Sequence, residues 1–330
     1  MRKRRSWRTT ATLFGREVVQ QDDMIRADRR KLSVPSRAAI VNVASVPQRS
    51  PFRYAGGKTW LIPKIRMWLA SRLPRPSLLL EPFAGGGIVS LTAVFEGLVG
   101  RALLVELDDG VAAVWRTILN GRATWLADAI ERFEMKEAPV RRLLAETDLP
   151  ADMHALQTIV RNRVCRGGIM APGAGLVKRG ENGHGLGSRW YPATLSRRIR
   201  DIAARADRLA FEHADGIDSL LQHARVRDLV AFIDPPYTVA GRRLYQHNTV
   251  DHSRLFDTAC RLAGDFLMTY DDSPEILSLA RAHDLDVRRV PMKTTHHDEK
   301  LELLIGRDLS WMEARQAPSV DHLLAPAYAG

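Results

Sequence analysis

The sequence predicts an α/β fold built on a largely parallel sheet. Three apolar stretches have strand character, and each ends at an acidic residue: residues 78–80 at Glu81, residues 102–105 at Glu106 and residues 230–233 at Asp234. Helical patterns separate these stretches, which is typical of βαβ units in a Rossmann-like sheet. Ligands of such sheets bind outside the carboxyl ends of the strands, so Glu106 and Asp234 lie at the candidate site.

Composition indicates a globular protein with a polyanionic partner. The chain has 330 residues, which suffices for one large domain or for a domain with a sizeable insertion, and 45% of them are hydrophobic. The 49 Lys and Arg residues outnumber the 38 Asp and Glu residues, so the formal net charge is +11. This balance favours nucleic acid over a membrane surface as the partner.

Cysteine content and hydropathy argue against a disulfide-rich, metal-binding, membrane-spanning or secreted protein. Cys165 and Cys260 are too few for a disulfide framework, and no metal-ligand spacing surrounds them. No apolar run approaches the length of a membrane span, and no hydrophobic core follows the basic N-terminus. We therefore expect a cytoplasmic protein without a metal site.

The third apolar stretch ends in the residues with the most specific chemistry, Asp234, Pro235, Pro236 and Tyr237. The prolines cannot continue a sheet ladder and hold the backbone extended. The Asp234 carboxylate and the Pro235 carbonyl are then two acceptors beside an aromatic ring. This set suits a planar ring with an NH2 group, because accepting both N–H hydrogens frees the nitrogen lone pair for attack. The alternative is a strand that merely ends in a Pro-Pro turn.

Glycine turns precede two of the predicted helices. In the first, Gly56, Gly57 and Lys58 offer backbone N–H groups and a cation, although such a tripeptide is often only a turn. In the second, Gly85, Gly86 and Gly87 link the strand at Glu81 to a helix over residues 88–94. This turn lacks the spaced glycines of dinucleotide enzymes. It either lets the backbone approach a ligand such as a nucleoside with an amino-acid tail, or it is purely structural.

Glu106, at the end of the second strand, is placed to accept the two hydroxyls of a ribose. A helix N-cap is the alternative for an acidic residue here, and Asp108 or Asp109 fits that role better.

The alternation of predicted strands and helices stops between about residues 120 and 208. Helical periodicity continues to about Arg163 and then gives way to glycines interleaved with basic and aromatic residues up to Tyr191. Such a segment can follow a phosphate backbone and reach base edges, or it is a long surface loop. The candidate DNA contacts are Arg161, Arg163, Arg166, Lys178, Arg179 and Arg189.

These observations predict four parts of the chain. Residues 1–48 are a basic N-terminal arm, residues 49–120 and 208–310 form the catalytic domain, residues 121–207 are an insertion, and residues 311–330 are a C-terminal tail. The last two strands, near residues 287–290 and 301–305, are expected to pair as a hairpin.

The order of three motifs carries a family resemblance. Residues 54–58 (YAGGK), 81–87 (EPFAGGG) and 234–237 (DPPY) together resemble the Dam-type (D12 class) DNA adenine-N6 methyltransferases, over roughly residues 50 to 306. Residues 162–168 and 270–275 also resemble stretches of that family. The resemblance implies a Rossmann-like, seven-stranded methyltransferase sheet that binds S-adenosyl-L-methionine and carries a helical and loop insertion for target recognition.

The resemblance also implies roles for individual residues. Tyr54 and Lys58 are expected to contact the cofactor, and Glu106 to bind its ribose hydroxyls. Gly85 to Gly87 are expected beneath the methionine part of the cofactor, with Phe83 in the same motif. Asp215 is expected near the cofactor adenine. Asp234, Pro235, Pro236 and Tyr237 are expected to hold the target base, with Asp234 between the two ligands.

The expected reaction is methylation of adenine N6 within a short sequence of double-stranded DNA. The same chemistry on cytosine N4, a catalytically silent binding module, and an RNA or protein amide substrate are the alternatives. A monomer acting on DNA is expected, with a cognate restriction endonuclease as a candidate partner.

Overall fold

The computed structural model describes residues 46–53, 57–165, 175–177, 180, 183–236, 250–293 and 299–313. Its centre is one sheet of seven strands in the order β3-β2-β1-β4-β5-β7-β6. The strands are β1 (Leu78–Glu81), β2 (Arg101–Glu106), β3 (Leu209–His213), β4 (Leu229–Ile233), β5 (Asp265–Asp271), β6 (Asp286–Lys293) and β7 (Glu299–Gly306).

The first five strands run parallel, and β7 is antiparallel to both β5 and β6. The predicted α/β fold and the C-terminal hairpin are thus confirmed. Chain order reverses at β1, which pairs with β2 on one side and β4 on the other. Glu81, Glu106 and Asp234 therefore come to the same edge of the sheet, where ligands of open α/β sheets bind.

Ten α-helices are described. They are α1 (Ile62–Ala70), α2 (Ile88–Phe95), α3 (Asp109–Thr117), α4 (Ala123–Arg132), α5 (Glu137–Ala145), α6 (Ala151–Val164), α7 (Pro192–Ala203), α8 (Gly216–Gln222), α9 (His252–Cys260) and α10 (Pro274–Ala282). Short 3₁₀ turns occur at Lys58–Leu61, Gly185–Arg189 and Ser310–Met312. None of these helices is both long and apolar enough to cross a membrane.

Alternating residues of the strands face two separate hydrophobic clusters. Leu79 packs with α1, α2 and α3 on one face of the sheet, whereas its neighbour Leu80 packs with α8, α9 and α10 on the other. Successive side chains of a strand point to opposite faces, so a short apolar run such as β1 is buried on both sides.

The described part of the predicted insertion belongs to the first of these clusters. Leu126 and Ile130 of α4, Ile159 of α6 and Ile199 of α7 are fully buried in it. The helices of residues 121–207 therefore extend the hydrophobic core of the sheet and do not pack around a core of their own.

Candidate active site

Asp234 directly follows β4 and is held through one of its two carboxylate oxygens. Thr269 Oγ1 of β5 donates to Oδ1 at 2.7 Å, and Lys58 Nζ lies 3.1 Å from the same oxygen. Among the described residues, nothing hydrogen-bonds Oδ2, and 23% of the side chain is exposed. One oxygen thus orients the carboxylate while the other remains available to a ligand. Of the two residues that follow, Pro235 is buried and Pro236 is half-buried.

Lys58 is nearly enclosed, with 3% of its side chain exposed, and it joins two carboxylates. Its Nζ lies 3.1 Å from Asp234 Oδ1 and 3.3 Å from Glu302 Oε2 of β7. Burial lowers the pKa of Lys58, but the two carboxylates outweigh burial and hold that pKa above its ordinary value. Lys58 is therefore a fixed cation between β4 and β7.

Sequence reasoning missed Glu302. The available signal was an acidic residue in β7 directly before three apolar residues, Leu303, Leu304 and Ile305, all of which are buried. A buried carboxylate requires a partner, and the partner here is Lys58.

The glycine turn after β1 is built into the fold. Gly87 has φ +61°, and a Cβ atom at this position would lie 2.5 Å from Leu104 Cδ2 and 2.9 Å from Trp115 Cζ2. Gly85 donates its N–H to Glu106 Oε2 at 2.9 Å, and its carbonyl accepts from Trp115 Nε1 at 3.0 Å. The turn is thereby held against β2 and α3, so Gly87 has a structural reason to be glycine whatever it binds.

Glu106 accepts three backbone hydrogen bonds. Its Oε1 accepts from Leu107 N at 2.8 Å and Asp108 N at 3.1 Å, while Oε2 accepts from Gly85 N. Burial raises the pKa of Glu106, although the backbone N–H groups oppose that effect. Asp108 caps α3 by accepting from Val111 N at 2.9 Å, so the capping role falls to Asp108, as predicted.

Glu81 is a third carboxyl group at this edge, and it is 4% exposed. Its Oε2 accepts from Ser90 N at 2.9 Å. The pKa of Glu81 is raised from 4.5 to about 8, mainly by burial; hydrogen bonds from Ser90 oppose this shift, and the charge of Asp234 adds to it. Burial therefore favours the protonated form of the Glu81 carboxyl group.

Asp215 caps α8 just beyond the carboxyl end of β3. Its Oδ1 accepts from Ile217 N at 2.9 Å and from Asp218 N at 3.1 Å. The cap was not foreseen from the sequence, and a contact with the cofactor adenine stays a prediction. Phe83 is half-buried against the second hydrophobic cluster, and its cofactor role likewise stays a prediction.

The predicted DNA-contacting residues fall into three groups. Arg166, Lys178 and Arg179 lie outside the described residues, as do Tyr54 and Tyr237 of the site. Arg161 and Arg189 are partly exposed. Arg163 is only 5% exposed and its Nη2 donates to the carbonyl of Pro51 at 2.7 Å. Burial, with the charges of Arg53 and Arg198, lowers the pKa of Arg163 to about 10. A guanidinium turned onto the protein backbone is not presented to DNA.

The strand order, with an antiparallel seventh strand inserted between the fifth and sixth, defines a Rossmann-like methyltransferase domain. The model of one family, described as D12 class N6 adenine-specific DNA methyltransferase, matches residues 54–287. The chain belongs to this family of S-adenosylmethionine-dependent, adenine-specific DNA methyltransferases.

Distant solved structures share an overall similarity with the chain. A Pyrococcus horikoshii protein assigned as an RNA methyltransferase is 9% identical, with a TM-score of 0.37, over 80% of this chain and 92% of its own. An rRNA methyltransferase from Streptomyces viridochromogenes is 15% identical, with a TM-score of 0.34, over 87% of this chain and 92% of its own. No curated protein sequence matches the chain.

The residues at the carboxyl edge suit S-adenosylmethionine. Each carboxylate oxygen has two lone pairs, and Glu106 Oε2 accepts only one hydrogen bond among the described residues. It can therefore accept a further hydrogen bond from a ribose hydroxyl. The Gly85 to Gly87 backbone lies directly beside this carboxylate, which brings a turn without side chains next to a hydroxyl acceptor.

Proposed function

We propose that this chain transfers the methyl group of S-adenosylmethionine to the exocyclic N6 amine of an adenine flipped out of double-stranded DNA. One observation carries the proposal, namely that Asp234 stands at the end of β4 with Oδ1 held by Thr269 and Lys58. Flipping is required because the amine lies inside the duplex, and unstacking a base costs about a few kcal/mol.

The chain acts on the amine through hydrogen-bond acceptors. Asp234 Oδ2 and the Pro235 carbonyl accept the two N–H hydrogens, so that the nitrogen lone pair is no longer delocalised into the ring. Lys58 and Thr269 keep the carboxylate from rotating away. Tyr237, which lies outside the described residues, is assigned to stack on the base. When bound, the cofactor supplies a methyl group on a leaving group that is already activated, and catalysis rests on positioning and electrostatics.

We assign the cofactor to the edge formed by β1, β2 and β3. Glu106 binds the ribose hydroxyls, Gly85 and Gly87 line the methionine part with Phe83, and Asp215 lies near the adenine. Tyr54 contacts the cofactor beside Lys58. Because Lys58 is enclosed by Asp234 and Glu302, we assign its main role to orienting Asp234 and a smaller one to the cofactor itself.

DNA recognition is assigned to the segment from Arg161 to Trp190 and to the net charge of +11. Arg161 and Arg189 are its described candidates, with Arg166, Lys178 and Arg179 outside the described residues; the burial of Arg163 argues against including it. The N-terminal arm and residues 242–248 are the next candidates. A monomeric state on DNA, a cytoplasmic location and a cognate restriction endonuclease stay predictions.

The test is identification of the methylated nucleoside. The protein is incubated with unmethylated duplex DNA and S-adenosylmethionine labelled in its methyl group, and the DNA is digested to nucleosides. We expect labelled N6-methyladenine, and long-read sequencing of DNA from cells expressing the protein should place it in one short sequence context. Labelled N4-methylcytosine would instead support the cytosine alternative. Absence of label in both DNA and competing RNA would indicate a silent binding module.

A further inference from the structure

The turns before the five parallel strands are rich in arginine. They hold eight arginines and three aspartates, without lysine or glutamate, over residues 71–77, 97–101, 204–208, 223–228 and 261–265. The described residues that end or directly follow the same strands carry the opposite charge. They hold ten acidic residues and neither lysine nor arginine, over residues 81–87, 106–109, 214–218, 234–236 and 271–275. The formal charge of these turns therefore changes sign between the amino edge and the carboxyl edge of the sheet.

Backbone hydrogen bonds join the arginine-rich turns into one surface at the amino edge. Gly100 N donates to Pro76 O at 3.0 Å. Ser77 N donates to Asp228 O at 3.1 Å, so the turn before β1 is bonded to the turns before β2 and β4. Another bond of 2.7 Å joins the turns before β4 and β5. Neighbouring strands lie about 4.8 Å apart, so the five amino ends form a row about 19 Å long. One strand of a DNA duplex carries about five or six phosphates over that length.

Half of the eight arginines are left available by the fold. Four donate hydrogen bonds within the protein; they are Arg72, Arg75, Arg205 and Arg208. The other four are exposed and make no ion pair or side-chain hydrogen bond with the part of the chain that the structure describes; they are Arg101, Arg225, Arg227 and Arg261. We call these four residues the amino-edge surface. Asp207 and Asp228 are exposed in the same turns, and the formal charge of the five turns together is +5.

Helix ends account for much of the acidic edge but not for the amino-edge surface. Asp108 and Asp215 cap α3 and α8, where a negative charge also meets the positive end of the helix dipole. Arg261 is the C-cap of α9, where a positive charge is favourable for the same reason. Arg101 begins β2, however, and Arg225 lies three residues beyond the end of α8, whereas the dipole acts within the last turn. Local stabilisation in the described structure therefore explains neither arginine.

We propose that the amino-edge surface binds the phosphate backbone of a second DNA segment while the carboxyl edge holds the segment to be methylated. Guanidinium groups match phosphate oxygens with paired N–H donors and keep their charge at physiological pH, which suits arginine to this ligand. Because the four side chains are already exposed, no rearrangement of the described structure is needed to reach regularly spaced phosphates. The inference goes beyond the proposed function and depends on it only for the segment at the carboxyl edge.

The second segment is not a short continuation of the first. Strand β5 has seven residues, and at about 3.3 Å per residue the two edges of the sheet lie about 20 Å apart. DNA has a persistence length of about 150 base pairs, so a duplex at one edge does not turn back within a few helical turns to meet the other edge. The two surfaces therefore contact separate duplexes or distant parts of one duplex. Holding both segments at once lets the protein pass between them without dissociating.

Two triple variants with the same loss of charge provide the test. The amino-edge variant combines Arg101→Ala, Arg225→Ala and Arg227→Ala. The control variant combines Arg132→Ala, Arg142→Ala and Arg197→Ala, in helices α4, α5 and α7 of the insertion. All six arginines are exposed and make no ion pair or side-chain hydrogen bond with described residues, so neither variant removes a described contact of this kind. Both variants lower the formal net charge from +11 to +8.

The experiment measures capture of a second duplex by the full-length protein. Each protein is bound to an immobilised unmethylated duplex, a fluorescent duplex is added, and the fluorescence retained per bound protein gives the affinity for the second segment. We expect the amino-edge variant to capture the second duplex at least about tenfold more weakly than the control variant, which should match the parent. The slope of log affinity against log salt should become shallower by about two to three, because each lost phosphate contact contributes about 0.9.

Methyl transfer to a single short duplex is the second measurement, and it should be unchanged in the amino-edge variant. A parent that transfers no methyl group would overturn the proposed function alone, since the capture comparison does not depend on the reaction.

Three results would overturn the inference. They are a parent that captures no second duplex, an amino-edge variant that captures it as well as the control variant does, and displacement of the second duplex by polyglutamate as effectively as by unlabelled duplex of equal charge. In the second case, capture would come from another copy of the protein or from the carboxyl edge. In the third, the surface would suit acidic proteins as well as DNA.

Discussion

The carboxyl edge of the sheet places its charged groups directly at strand ends, whereas the insertion places its own through packing between distant segments. Glu106 is the last residue of β2, and Asp234 directly follows β4. Both lie at the same edge of the sheet because the carboxyl ends of parallel strands meet there. Arg161 and Arg163 are two positions apart on α6, yet one is partly exposed and the other is turned onto the Pro51 carbonyl. The position of a charge at a strand end therefore follows from the strand itself, whereas the exposure of a charge on a helix depends on what the helix packs against.

Removing the acceptor at the carboxyl edge should have the largest effect. Asp234→Ala should lower methyl transfer by about 100- to 1,000-fold or more, because a preorganised partner of the reacting amine is lost. The fold should persist, since Lys58 keeps Glu302 as a partner. Asp265→Ala, at the opposite end of β5, is the control carboxylate and should retain activity. Turnover by Asp234→Ala near that of the parent would contradict the assigned site.

A pair of glycine variants tests how tightly the edge is packed. Gly87→Ala and Gly97→Ala both force a side chain into positive φ, +61° and +68°, at a cost of roughly 1–2 kcal/mol. Only the Cβ at position 87 meets Leu104 and Trp115; no described atom lies within 4 Å of the one at position 97. The free energy of unfolding, measured in urea, should fall by about 1–3 kcal/mol more in Gly87→Ala. Equal losses would show that the turn can shift.

Glu106→Ala should weaken cofactor binding, with a loss on the order of 1.5–3 kcal/mol if a charged acceptor of the ribose is removed. DNA binding without cofactor should change little. Asp108→Ala is the control, because it removes the cap of α3 and should lower stability by about 1 kcal/mol while leaving cofactor affinity intact. Unchanged cofactor affinity of Glu106→Ala in calorimetry would reduce Glu106 to a structural acceptor for Gly85.

Two arginine variants sharpen the contrast within α6. Arg163→Ala should lower the free energy of unfolding by about 1–3 kcal/mol, because the buried Pro51 carbonyl loses its donor. Arg161→Ala should change stability by no more than about 0.5 kcal/mol and weaken DNA binding with a flatter salt dependence. Anisotropy titrations over a series of salt concentrations measure the second effect. A reversed pattern would mean that Arg163, not Arg161, reads the DNA.

The remaining expected effect is the pH dependence of stability contributed by Glu81. Its pKa rises from 4.5 to about 8 on folding, so within this window the folded state binds more protons than the unfolded state. Stability from this group is therefore greatest at low pH and is lost as the pH rises towards about 8. Urea unfolding at pH 5, 6.5 and 8 should show a steeper decline in the parent than in Glu81→Gln. Parallel curves would contradict the raised pKa.

Prediction from the sequence succeeded for features that depend on residues close together in the chain. The apolar runs ending at Glu81, Glu106 and Asp234 sufficed to predict the parallel sheet. The family match confirms the assignment made from the three motifs. The cap of α3 at Asp108 also followed from its place after a strand. Each of these features depends on residues within a few positions of one another, so the local sequence pattern predicts it.

Only the tertiary structure decided which charged groups pair. Glu302 forms an ion pair with Lys58 across 244 positions of sequence. The side chain of Asn162 accepts a hydrogen bond from the backbone of Arg53 across 109 positions, so no local pattern links either pair. Whether Arg163 is buried depends on how α6 packs against residues 50–53, which its own helix does not specify. By itself the sequence determined the sheet, the strand-end acids and the family, because local propensity and chain order decide these. The partners of Lys58, Arg53 and Arg163 arise from packing between segments far apart in the chain, where burial requires each polar group to find a partner.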